Sequence, residues 1–135
     1  MGEKAFTIAW MRGSQLFAPL PDALLNELAG HCSIQSFSAG DFLIRENGDN
    51  ISLFLLTRGE VKIVSNGTEV DRQQSGDTVG EISSSGISPP VADVIAIDDV
   101  EAVSFPLELI QSLCNTHPDF ARRLREAGMI KVYGR

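Results

Sequence analysis

Gly80-Glu81-Ile82-Ser83 is followed, eight residues after Glu81, by Pro89-Pro90-Val91-Ala92. These residue types at this spacing suit the holding of an anion. Glycine lets the backbone come close to a guest. A glutamate beside it can accept hydrogen bonds from sugar hydroxyls. A short helix starting here points free N–H groups outward, and such helix starts favour negative charge. The same residues also fit plainer roles, Gly80 as a turn glycine and Glu81 as an acid near a helix N-terminus. The outline is that of a phosphate cradle, yet no Lys or Arg occurs from Gln73 through Ala121. An anion site usually adds a fixed positive charge, and that charge is missing here.

Other chemistry finds little footing. His31 neighbours Cys32, but adjacent residues on a helix do not face each other. No Ser-His-Asp or Cys-His arrangement stands out, so no catalytic residue and no enzyme activity are expected. His31 and His117 are far apart in sequence, with no third histidine. That leaves no ligand set for a metal, and no cofactor is expected. A net charge of −7 and a pI near 4.7 argue against nucleic acid or an anionic membrane as a partner of this domain alone. Met1–Ser14 carries Lys4 and Arg12 and no continuous apolar run, so it reads as neither a signal peptide nor a membrane span. Cys32 and Cys114 then read as reduced thiols of a cytoplasmic protein.

The elements that must position these residues form one domain over 1–135. A leader, 1–13, holds Phe6 and Trp10, which suit packing on the body or contact with a partner. Ser14 to His31 has the helical spacing Leu16, Phe17, Leu20, Leu24, Leu25 and Leu28. Pro19 and Pro21 break its front, so the better helix begins near Pro21 and ends near Gly30. From Ser33 the period becomes two. Short apolar runs alternate with turn residues, and Asn66-Gly67 is the strongest hairpin signal. About eight short strands fill 33–105. The fold class expected is mainly β with flanking α-helices, an antiparallel β-roll or double-stranded jelly roll. Helices close the chain over 106–128. Pro118 opens the last one, and Gly128 weakens or ends it. Phe120, Leu124 and Ala127 share one side of that helix. Arg122, Arg123 and Arg125 fall mostly elsewhere, as a solvated face or a docking surface.

The order helix, roll, Gly-Glu insert, two strands, two helices resembles the cyclic nucleotide-binding domain, the sensor module of catabolite activators, kinase regulatory subunits and gated channels. The matching residues are Phe37, Gly40, Ile44, Gly48-Asp49, Phe54-Leu55-Leu56, Gly59-Glu60-Val61, Gly76-Asp77 and Gly80-Glu81, within Leu16 to Arg125. The resemblance implies a regulatory module of signal transduction, with cAMP or cGMP as the candidate ligand. It implies a cassette of Gly80, Glu81, Ile82, Pro89, Val91 and Ala92 between the hairpin strands and the last helix. In the family an arginine after the proline pairs with a phosphate oxygen; here that position is Pro90. Proline has neither charge nor backbone donor. A sheltered phosphate left without its partner costs about 3–5 kcal/mol, and each 1.4 kcal/mol is roughly tenfold in affinity. The cassette is therefore expected to be degenerate, holding cAMP or cGMP weakly or not at all.

Two alternatives stay open. A cation from outside the cassette (Lys62, Arg72, or Arg122 to Arg125) would make a genuine receptor. Otherwise the domain senses a less anionic small molecule or serves protein contact, as a homodimer or against an effector domain. Asp93, where the family usually has Thr or Ser, either faces the pocket and repels phosphate or faces solvent and is inert. The family mechanism shifts the C-terminal helices between two positions. No helix-turn-helix fits in the few residues after Arg125.

Overall fold

The computed structural model describes residues 2–48, 52–80 and 92–132. The order is α1 (Glu3–Arg12), α2 (Asp22–Ala29), β1 (Ser33–Phe37), β2 (Phe42–Ile44), β3 (Ser52–Arg58), β4 (Glu60–Ser65), β5 (Thr68–Gln74), β6 (Thr78–Val79), β7 (Asp93–Ala96) and β8 (Val100–Pro106). Two helices end it, α3 (Leu107–Thr116) and α4 (Pro118–Val132). The strands form two antiparallel four-stranded sheets, one ordered β1-β8-β3-β6 and the other β2-β7-β4-β5. This is the mainly-β roll with terminal helices that the period-two runs predict.

Alternation along β3 and β8 splits the apolar residues into two cores. Phe54, Leu56, Val100 and Ala102 face the space between the sheets, with Val61, Ile63, Val79, Val94 and Ala96 opposite or beside them. Leu53, Leu55, Val103 and Phe105 point the other way, into a helix layer with Met11, Leu25, Ile110, Phe120 and Leu124. Phe17 ties that layer together. Its ring stacks on Phe105 at 4.7 Å and lies 5.6 Å from Phe120. Both contacts fall in the range in which aromatic pairs add to area burial. One sheet is thus covered on both faces, whereas the outer face of β2-β7-β4-β5 has no helix on it among the described residues.

Three sequence expectations change. The leader 1–13 is a helix, with Thr7 and Met11 buried on one side. The first of the expected helices is confined to Asp22–Ala29, and Ser14 to Pro19 runs in turns. Pro19 and Pro21 withhold the amide donors a longer helix would need. The last helix runs through Gly128 to Val132 rather than stopping there; one glycine costs about 1 kcal/mol in a helix interior, which need not end it. The Asn66-Gly67 hairpin forms as expected. Both residues have positive φ (52° and 78°), the conformation of a tight turn that matches strand twist.

Candidate functional site

Of the cassette residues read from the sequence, Gly80 and Ala92 lie within the described structure. Glu81, Ile82, Pro89 and Val91 lie outside the described residues, as does Pro90. Gly80 leaves β6 with φ +98°, a conformation that side-chain-bearing residues rarely adopt. The backbone path alone therefore requires glycine there. Ala92 precedes β7 and is buried in the core between the sheets. The two ends of the cassette thus both open from the roll, Gly80 at an edge strand of one sheet and Ala92 beside a central strand of the other.

The inner surface of the β4–β5 hairpin follows from its register. Val61 pairs with Gln73, and Ile63 with Asp71. Val61 and Ile63 are buried between the sheets, so Gln73 and Asp71 share that inward side. Gln73 is itself buried, and its Nε2 donates to Asp71 Oδ2 at 2.8 Å. The other Asp71 oxygen, Oδ1, accepts from the Arg72 amide at 2.8 Å. Ser52 and Ser104, joined by a 2.9 Å hydrogen bond, are the further buried polar pair on the inner side. Sequence reasoning passed over Asp71 and Gln73. A polar residue breaking the apolar alternation opposite Val61 is the signal that would have found them.

The cations considered as substitutes stand elsewhere. Lys62 and Arg72 face each other across the hairpin, on the side away from Val61 and Ile63. They therefore lie on the outer sheet face and do not line the roll, contrary to the sequence expectation. Arg72 pairs with Glu69 at 2.8 Å, and this bond holds the Glu69 carboxyl below its ordinary range. Arg45 sits 4.1 Å over the exposed Phe42 ring. Arg122 pairs with Glu126 at 3.2 Å along the helix surface. Arg123 is half-buried and is no solvated face. Its Nε and one Nη donate to the Leu16 carbonyl at 3.3 and 3.2 Å. Arg125 is exposed near Cys114, whose thiol is pushed up by burial and lowered in part by that guanidinium. No Lys or Arg among the described residues reaches the inner face.

Asp93 resolves into the inert alternative. It follows Ala92 and precedes Val94, both buried inward, and so points outward. Its Oδ1 accepts from the Glu46 amide at 2.6 Å, tying β7 to the chain after β2. A separate cavity of about 660 Å³ lies on the helix side of the first sheet, lined by Ser14, Leu16, Gly76, Thr78, Arg123 and Glu126 among others. Among the described residues no group of three His, Cys, Asp or Glu side chains is placed to hold a metal. No described helix is long and apolar enough to cross a membrane. Cys32 and Cys114 carry no disulfide.

Comparison with known proteins gives this architecture its class. The family model of the cyclic nucleotide-binding domain matches residues 34–117, and the chain belongs to that family, a family of regulatory and sensor domains. It is 30% identical over 102 residues to the Pycsar effector protein BcPycTIR of Burkholderia cepacia, covering 75% of this chain and 34% of that protein. The chain thus spans about a third of that relative's length. Among solved structures, the regulatory subunit of a cAMP-independent protein kinase A from Trypanosoma brucei, as a triple mutant bound to cAMP, superposes with a TM-score of 0.81. It shares 22% identity over 92% of this chain and 49% of its own. The corresponding subunit from Trypanosoma cruzi, bound to guanosine, gives a TM-score of 0.81 at 20% identity, over 92% and 47% of the two chains. At these identities the superpositions establish the fold.

Proposed function

We propose that this chain is a regulatory sensor domain whose cassette has lost its hold on the cyclic phosphate, so that cAMP and cGMP bind weakly or not at all. The observation that carries this reading is electrostatic. From Gln73 through Ala121 the sequence has no Lys or Arg, and the described cations point outward or into the helix layer. Asp71 adds an acidic group on the inner face of the hairpin, where a phosphate would raise the cost further. Without a guanidinium, the amides that follow Gly80 would hold the anion alone. Such a site forgoes a charged hydrogen bond of about 1.5–3 kcal/mol, roughly ten- to hundredfold in affinity. The trypanosomal neighbours support a fold tolerant of this change, since one subunit described as cAMP-independent is bound to guanosine.

The domain then acts by protein contact or by response to another small molecule, and it regulates whatever effector it is joined to. Calorimetry with cAMP and cGMP tests the reading. Saturable binding below about 100 μM would contradict it. Pro90→Arg restores the missing partner and is expected to create or strengthen cAMP binding by about tenfold or more. A folded Pro90→Arg variant with no gain would count against the assignment of that position.

A further inference from the structure

The inner face of the hairpin carries more than an absence of charge. Gln73 is 9% exposed, and its strand partner Val61 is fully buried. Its amide nitrogen is occupied by Asp71 Oδ2. Its Oε1 is left as a buried acceptor, and no donor among the described residues reaches it. Native proteins rarely leave such a group unmatched, because it forfeits its bonds to water and receives nothing in return. Asp71 lies two residues away on the same inward side, and a carboxylate is acceptor-only. The pair therefore presents acceptors to whatever enters between the sheets. A guest that satisfies them must bring donors, and a phosphate brings none.

We propose that the Asp71–Gln73 pair selects a neutral, nucleoside-sized ligand, which donates hydroxyl or amino hydrogens to Gln73 Oε1 and to the Asp71 carboxylate. This rests on the reading above, in which the cyclic phosphate has no purchase. The apolar walls of the roll (Leu56, Val61, Val79 and Ala92) supply surface for a base or sugar ring. The two acceptors fix its orientation, and the orphaned Oε1 becomes paired only when the ligand is bound. A hydrogen-bonding pocket discriminates most sharply against a ligand that leaves its polar groups unmatched.

The experiment titrates the whole chain with adenosine, guanosine, cAMP and cGMP by calorimetry, on the wild type and on Gln73→Leu. The expected result is that at least one nucleoside binds about tenfold or more tightly than its cyclic nucleotide. Gln73→Leu should lose about tenfold or more of that affinity, while its own melting temperature holds or rises as the buried orphan is removed. Gln73→Met, close in shape, repeats the measurement should the leucine variant fold poorly. Silence from all four ligands would overturn this inference and leave the loss of cyclic nucleotide binding standing. Tighter binding of cAMP or cGMP than of the nucleosides would overturn both. Nucleoside affinity unchanged in a folded Gln73 variant would place the ligand elsewhere and also defeat the proposal.

Discussion

Gly59 joins β3 to β4 at φ +85°, against the Asp98–Asp99 turn. A methyl group added there would press on the Asp99 carbonyl oxygen and stand 2.8 Å from Asp98 Oδ1 and 3.0 Å from Val100 Cγ2. The first of these is backbone, so relief requires the turn itself to move. The same turn holds the Glu60 amide, which donates to Asp98 Oδ1 at 2.9 Å. Gly59→Ala therefore incurs about 1–2 kcal/mol for a left-handed conformation. Displacing the turn and its charge-assisted hydrogen bond adds about 1–2 kcal/mol more, a figure kept low because that bond is solvent-exposed. Gly67→Ala is the matched control. It shares a positive φ, +78°, but has nothing within 4 Å of the new methyl, so only the conformational cost of about 1–2 kcal/mol applies. Urea unfolding followed by circular dichroism should give a loss of about 3 kcal/mol for Gly59→Ala and about half that for Gly67→Ala, with unchanged m-values. Equal losses, within about 0.5 kcal/mol, would refute the packed contact between these two turns.

Two further changes probe the helix layer. Arg123→Ala removes both hydrogen bonds to the Leu16 carbonyl. It should cost about 1–2 kcal/mol and speed amide hydrogen exchange at residues 14–18, with little effect on the β4–β5 hairpin. Cys32 donates its thiol hydrogen to the Leu28 carbonyl, and burial pushes its pKa up to about 12 from an ordinary 9.0. The unfolded thiol ionises first, so its stabilising share is whole below pH 9 and is lost as pH rises toward 12. Cys32→Ala should flatten the stability-against-pH curve across that window in denaturant titrations, and the wild-type thiol should resist alkylation at pH 8 until the chain unfolds.

The roll was legible in the sequence because its corners are chemically marked. Asn66-Gly67 and the apolar runs around Val61 and Phe54 fix strand and turn at the level of single residues. The helical nature of 3–12 was not, since Phe6, Trp10 and Met11 without flanking signals read equally as a loose leader. Its helicity depends on tertiary packing of Thr7 and Met11 against the helix layer, which no local propensity records. The cassette outline was visible in Gly80 and Ala92. The facing of Lys62 and Arg72 was not used, although it follows from alternation: two residues beside buried Val61 and Ile63 must look outward. Arg123 was misread for another reason. Its role is set by a carbonyl 107 residues away, and a contact of that range leaves no local pattern.

The ring trio Phe17, Phe105 and Phe120 draws together a turn near the beginning of the chain, the strand feeding the final helices, and the final helix itself. A tug on α4 therefore reaches the segment between α1 and α2 through one shared hub and one guanidinium clasp, bypassing the outer sheet. Mechanically the molecule is a lever with its fulcrum on the covered sheet. The bare sheet is ballast, free to vary in sequence or to accept a neighbour without disturbing the travel of the arm.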